Sequence, residues 1–251
     1  MKIGAHLSTV REHIQTNSDF ANTIKQIAAM GYEAVEICSV NSEILPPAEL
    51  AETCEAYGLE IVGTHVDPLR ILNETETVIQ EHKLMKAKFI GLETMPEKYP
   101  HIKFGFRGFM TDFIPASRAI KEAGLRLMYN NKNFEFEKHD GLIALDYMAD
   151  KFIDVGFALS TFWTQAGGGD PAFWIKKLAG KASVVHLMDM TVINGKQGMC
   201  EVMEGNLNWD SIFSAAKDAK VEYAMVRQDR CYGRDPFKCL RTSLKNIKEK
   251  L

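Results

Sequence analysis

The sequence predicts a single α/β domain of the (β/α)8 TIM-barrel class. Three observations carry that prediction. Short apolar runs alternate with longer helical patterns from end to end, the runs begin roughly every 30 residues, and eight of them fit into 251 residues. Composition agrees, since 46% hydrophobic and 25% charged residues describe a chain able to bury its own core. An open doubly wound sheet shares the alternation. It would want a Gly-rich phosphate turn after the first strand, where this chain reads Gly4-Ala5-His6-Leu7-Ser8-Thr9-Val10. No linker-like stretch divides residues 1–251, so the expectation is one domain.

The expected strands start near Lys2 (KIGAH), Glu33 (EAVEI), Glu60 (EIVGTHV), Lys88 (KFIGLE), Leu125 (LRLMYN), Asp154 (DVGFALS), Ser183 (SVVHLM) and Glu222 (EYAMVRQ). Between them, Phe20, Ile24 and Ile27 mark the apolar face of a first helix. Gly31 ends that helix, as Gly58 and Gly124 end later ones, because the left-handed residue after a helix favours glycine. Ile71, Val78 and Leu84 fit a looser face. Pro115 falls inside the fourth helical pattern and predicts a kink or a late start, since proline has no N–H to donate. Asp170-Pro171 reads as an N-cap followed by proline at the first helical position. The preceding Gly167-Gly168-Gly169 reads as a tight turn, because Asp170 would oppose a phosphate there. Phe237, Leu240, Leu244, Ile247 and Leu251 step by three and four down the last helix.

Charge and cysteine usage narrow the function. Lys+Arg 30 against Asp+Glu 33 gives a net −3 with no block of like charge, so no nucleic-acid partner is expected. No membrane partner is expected either, since no apolar run approaches the roughly 20 residues of a span. The N-terminus reads as a strand at once rather than as a leader. Cys38, Cys54, Cys200, Cys231 and Cys239 are scattered, odd in number and without a C-x-x-C pair. They read as reduced thiols in a cytoplasmic protein.

In this fold chemistry sits at the C-terminal ends of the strands. Those ends read His6, Glu36, His65, Glu93, Asn130-Asn131-Lys132, Ser160, His186 with Asp189, and Arg227-Gln228-Asp229. Such a polar ring suits a small hydroxylated ligand. Singly, each member also has a structural reading, such as a hydrogen-bonded histidine or a loop-capping aspartate. Their joint placement is what points to a site.

The chain resembles the sugar phosphate isomerase/epimerase family, the xylose isomerase-like TIM barrels. The segments that carry the resemblance are GYEAVEI (31–37), GLEIVGTHV (58–66), YNNKNFEFE (129–137), TFWTQAGGGDP (161–171), VVHLMDM (184–190), EVMEGNLNW (201–209) and VRQDRCYGRDPF (226–237). The opening GAHLS is similar to an apurinic-site endonuclease branch, but that branch's zinc histidines and basic face are missing. The resemblance implies one divalent cation (Mn, Mg, Co or Zn) held by four ligands at the ends of strands 5 to 8. Here those positions read Asn130, Ser160, His186 and Arg227, with Lys132 at a second histidine position of strand 5. Three of the four no longer match. The expectation is therefore a divergent member with no metal and no other cofactor, in which Arg227 and Lys132 occupy about where the metal charge would be.

Two functions follow. One is an isomerase/epimerase-like enzyme acting on a small sugar or sugar acid. Its catalytic candidates are Glu36, His65, His186 and Arg227. Its substrate-binding candidates are His6, Asn130, Lys132, Glu135, Ser160, Trp163, Gln165, Asp189, Glu204 and Gln228. The other is a catalytically inactive relative that binds a carbohydrate or a protein partner. A third reading keeps a metal on other residues, drawn from Glu36, Glu93, Glu135, His186 and Asp189. The resemblance leaves a homo-oligomer open.

Overall fold

In the computed structural model, which describes residues 1–38 and 45–251, all eight expected strands form. They are β1 (Lys2–His6), β2 (Ala34–Ile37), β3 (Glu60–Val66), β4 (Phe89–Leu92), β5 (Arg126–Asn130), β6 (Val155–Ser160), β7 (Val184–Leu187) and β8 (Tyr223–Val226). Each pairs in parallel with its neighbour in sequence, and β1 pairs with β8, which closes the barrel. The barrel has no edge left to protect. Two small hairpins lie outside it, Lys138–His139 with Leu142–Ile143 and Asp189–Ile193 with Lys196–Cys200. The periodicity of the sequence does not announce either.

The interior of the barrel is packed. Ala34, Val62, Phe89, Met128, Ala158, Val184, Tyr223 and Met225 form an apolar cluster of their own. Gly4 is required beside it, because a Cβ there would lie 2.8 Å from the Ala34 backbone oxygen as well as against the Met225 side chain. A larger core fills the space between sheet and helices and includes Phe20, Phe106, Phe109, Phe113 and Tyr129. Side chains alternate along a strand, so a residue two places beyond an inward one also points inward. That rule carries Glu36, Asn130, Ser160, His186 and Arg227 from the filled interior up to the mouth.

The helix signals mostly match. Gly31, Gly58 and Gly124 adopt φ of 94°, 70° and 83°. Asp170 caps Pro171–Lys177 by accepting from the Ala172 N–H at 2.8 Å. The glycine turn before it packs closely, since a Cβ at Gly167 would meet Phe136. Three details differ. Lys103–Glu122 is one helix that runs through Pro115, so there is no late start. Its buried stripe of Phe106, Phe109, Met110, Phe113 and Ile120 outweighs one missing hydrogen bond. Ile71 and Val78 lie on two separate helices, Pro68–Asn73 and Thr75–Leu84, and Leu84 is exposed at the end of the second. Leu251 is likewise exposed, past the buried Leu240, Leu244 and Ile247. No helix among the described residues is long and apolar enough to cross a membrane.

Candidate functional site

Strands β1, β2, β3 and β7 bring one histidine, one glutamate and two further histidines to a single point. His6 and Glu36 are register partners on neighbouring strands. The β2/β3 register shifts between Val35 and Glu36, an irregularity of the kind that re-aims a side chain at a barrel rim. Glu36 Oε1 lies 2.8 Å from His65 Nε2 and its Oε2 lies 2.8 Å from His186 Nε2. His6 Nε2 lies 3.2 Å from His65 Nε2 and 3.9 Å from Glu36 Oε1. His6 and His186 are fully buried, and the side chains of His65 and Glu36 are 5% and 7% exposed. Among the described residues this is the one group of three or more His, Cys, Asp or Glu whose ligand atoms converge, all within 4.8 Å.

Burial and charge set the protonation of this group. Burial pushes the Glu36 carboxyl up, but the facing imidazoles of His186 and His6 outweigh it and hold the group well below the usual carboxylate range. Burial lowers His6, assisted by the charge of Arg227, and burial likewise lowers His186. Only His65 is raised: burial lowers it, but its hydrogen bond to Glu36 and the nearby Glu93 carboxylate overcome that.

Arg227 and Lys132 do point into the mouth, and both are already paired. The Arg227 guanidinium donates to Asp229 through Nε at 2.7 Å and Nη2 at 3.1 Å, and to Glu93 Oε1 at 3.3 Å. Its Nη1 donates to the Asn130 amide oxygen at 3.2 Å, while the Asn130 nitrogen donates to the Ala158 carbonyl. Lys132 Nζ reaches the same Glu93 oxygen at 3.3 Å and lies 5.8 Å from the Trp163 ring centroid. Glu93 is held well below the ordinary carboxylate range, first by nearby His65 and then, against its partial burial, by Lys132 and Arg227. The expected cationic pocket is thus a neutralised one. Glu93, at 47% side-chain exposure, is its most open member.

The remaining candidates divide. Asn131 and Ser160 lock strands 5 and 6 together, with the Ser160 N–H donating to Asn131 Oδ1 at 2.9 Å. The Ser160 hydroxyl is buried, donates to Met188 Sδ and accepts from the Trp163 N–H, which makes it a helix cap. Glu135 is fully buried, accepts from the Tyr129 hydroxyl and the Lys132 N–H, and burial pushes its carboxyl up to about 7. Trp163 is half-buried, and its Nε1 is buried without a hydrogen-bond partner. Gln165 is exposed on the helix Thr161–Ala166. Gln228 is buried and its amide holds its own loop by donating to the Arg230 carbonyl.

Two expected substrate-binding residues are engaged by the protein itself. Asp189 accepts from the N–H groups of Met190, Met203, Gly205 and Leu207 and from Trp209 Nε1. Five donors leave that carboxylate nothing to offer a ligand, and it instead organises the 201–209 loop. Glu204 is exposed and accepts from Asn246 on the last helix, so it does not join the mouth. Conversely, Ser8 belongs to the site with no motif to announce it. Its hydroxyl lies 2.8 Å from His6 Nδ1 and donates to Asp229 at 3.0 Å.

The usual metal position of such barrels can be tested directly. Asn130 gives its oxygen to Arg227, the Ser160 hydroxyl is spent on Met188 and Trp163, and Arg227 is a cation. Of the four positions only His186 offers a ligand atom, and it faces Glu36 instead. The strand 5 to 8 set does not fit a divalent ion.

The closed eight-stranded parallel barrel with outer helices defines a (β/α)8 protein, and comparison specifies it as a xylose isomerase-like barrel. The chain superposes on a sugar phosphate isomerase/epimerase from Parabacteroides distasonis with a TM-score of 0.84 and 17% identity, over 98% of this chain and 93% of that one. An L-ribulose 3-epimerase gives a TM-score of 0.79 at 14% identity, over 99% and 93%. A probable 3-DHS dehydratase of petrobactin synthesis from Bacillus anthracis gives 0.76 at 12% identity, over 99% of both chains. No protein-family model and no curated protein matches the sequence. One fold thus carries isomerase, epimerase and dehydratase names, so the reaction must be argued from the site.

Proposed function

We propose that this protein is an isomerase/epimerase-like barrel that takes a small carbohydrate or sugar acid at its C-terminal mouth. The observation behind this reading is the convergence of Glu36, His65 and His186 on one point beside Arg227, Lys132 and Glu93. Isomerisation or epimerisation beside a carbonyl needs a group that removes a carbon-bound proton and one that steadies the enediolate. Glu36 with His65 is the ionised, hydrogen-bonded pair suited to the first task, and His186 orients Glu36 from its other oxygen. Arg227 suits the second once a ligand oxygen replaces Glu93, its longest contact. Lys132 and Trp163 flank the way in and suit a sugar hydroxyl or carboxylate and a ring face. The family's usual ion on strands 5 to 8 has no part in this reading, and the scattered cysteines favour a cytoplasmic setting.

One observation favours a second reading, in which the protein binds a ligand without turnover. Arg227 and Lys132 are both satisfied by the protein's own carboxylates, so the electrophile is not free in advance. The deciding experiment incubates the protein with a panel of ketoses, aldonic acids and sugar phosphates in D2O. NMR then follows exchange of the hydrogen beside the carbonyl, and calorimetry measures binding. Exchange that fails in Glu36→Gln supports the enzyme. Saturable binding without exchange supports the binding module, and absence of both rejects the sugar reading.

A further inference from the structure

Two contacts at the mouth are unfavourable as they stand. His6 Nε2 and His65 Nε2 approach to 3.2 Å, although His65 Nε2 must also donate to Glu36 Oε1 at 2.8 Å. A ring nitrogen carries one hydrogen, so it cannot serve both neighbours. On its other side, buried His65 Nδ1 has no hydrogen-bond partner and lies 3.9 Å from Glu93 Oε2, a lone pair facing an anion when Nε2 holds the proton. Moving the ring proton to Nδ1 removes that second conflict and turns an Nε2 lone pair inward. His6 can do the same. Ser8 gives its hydroxyl hydrogen to Asp229, so its 2.8 Å contact with His6 Nδ1 is met when that nitrogen carries the proton. The Ser8 backbone N–H, at 3.2 Å from the same nitrogen, is the weaker, opposing contact.

With both rings in that state, and with the His186 proton likewise on Nδ1, the three Nε2 atoms and the Glu36 carboxylate face one another with only lone pairs. Counting either Glu36 oxygen, four spacings are 2.8, 2.8, 3.2 and 3.9 Å and all lie within 4.8 Å, around the edge of about 3.3 Å expected between ligands of a tetrahedral zinc with Zn–N near 2.0–2.1 Å. We infer that His6, Glu36, His65 and His186 form a binding site for one late first-row divalent cation, of the zinc or cobalt class. Three imidazoles and one carboxylate are the donor set such ions prefer over magnesium or calcium. The site spans strands β1, β2, β3 and β7, so it shares only His186 with the strand 5 to 8 set that this chain lacks. Two of the four ligands have support behind them: Ser8 and Asp229 behind His6, and Glu93 near His65.

Charge agrees. The mouth carries three carboxylates, Glu36 among the imidazoles and Glu93 and Asp229 beside the cations, against two cations, Arg227 and Lys132. A divalent ion reverses the local sign and leaves one positive charge, which an entering anionic oxygen would neutralise. An added proton on His65 is the rival occupant. It would satisfy Nδ1, yet it still spends the Nε2 hydrogen on Glu36 and leaves His6 Nε2 unmatched. The ion site rests on ligand geometry and not on the sugar reading. With an ion held, Glu36 and His65 serve as ligands, so ion binding and proton removal by that pair belong to different states of the site.

The test uses the full-length protein without any sugar. Protein stripped by a chelator and dialysed is titrated with Zn2+ by competition against a chromophoric chelator, and separately with Co2+ by visible absorption. About one ion per chain, the intense ligand-field bands of low-coordinate Co2+, and a higher melting temperature with Zn2+ are expected. Combining Glu36→Gln with His65→Asn should weaken binding by more than about 100-fold, and Ser8→Ala by roughly tenfold. A folded wild type that takes up no ion overturns the proposal in favour of the proton. Unchanged uptake by the double variant also overturns it, because the ion then lies elsewhere. If the double variant fails to fold, the wild-type titration and Ser8→Ala still decide.

Discussion

Two buried carboxylates, Asp189 and Glu36, stand near the ends of β7 and β2, and they are satisfied in opposite ways. Asp189 is closed by five N–H donors, four of them backbone groups of the 190–207 stretch. These donors carry no titratable proton, so the group is finished as soon as the chain folds. Burial pushes the Asp189 carboxyl up, and the same donors work against that rise. Glu36 instead faces three imidazoles, groups that hold a proton, give it up or bind an ion. The first carboxylate builds a loop, and the second builds a site. Burial and charge alone do not separate these roles; the kind of partner does.

The sharpest test of this contrast is stability. Asp189→Asn sets an amide NH2 against N–H donors and removes charge-assisted bonds, an expected loss of about 4 kcal/mol in urea unfolding. Glu36→Gln should cost about 1 kcal/mol or less under the same conditions. Similar losses for the two would break the comparison.

Glu135 tests an intermediate case, a carboxylate with two donors and deep burial. Its folded pKa of about 7 lies above its ordinary 4.5, so its protonated form suits the fold. Wild type should therefore lose stability as pH rises from 5 to 8, by up to about 3 kcal/mol from this group, and keep it below. Glu135→Gln should flatten that pH dependence, measured by urea unfolding at both pH values. A slope unchanged by the substitution would mean the carboxyl is ionised throughout.

A smaller effect is expected at Arg227, which links the site to Asp229 and Glu93. Arg227→Met leaves Glu93 with Lys132 and Asp229 with the Ser8 hydroxyl, and about 2 kcal/mol is a discounted figure for the two lost ion pairs. Part of the loss should return at low pH, when the carboxylates protonate. Full stability at neutral pH would show that Arg227 is held for a ligand rather than for the fold.

Much of the architecture was legible in residues near one another in sequence. The strand recurrence, the glycine caps and the Asp170-Pro171 start are local signals, and each is met in the structure. The hairpin Asp189–Ile193 with Lys196–Cys200 was not, since its strands are short, mixed in polarity and partly exposed. At the mouth, the ring of strand-end residues was readable because period two and the barrel rule place it. Which members meet was not. Asp189 looked like a ligand group because a strand-end aspartate reads the same whether its partners are substrate or backbone. EVMEGNLNW carried a resemblance whose reason is now visible: it is the loop that wraps Asp189.

The sequence by itself determined a barrel of eight units and where its polar ring lies. Those follow from short-range periodicity and residue identity. Only the tertiary structure decided that Arg227 and Lys132 share one glutamate, and that Glu36 meets a histidine 150 residues away. Such pairs depend on strand register, the β2 irregularity and closure of β1 onto β8. Those are properties of the whole closed sheet, so a one-residue change in register would send each of these side chains to the other face.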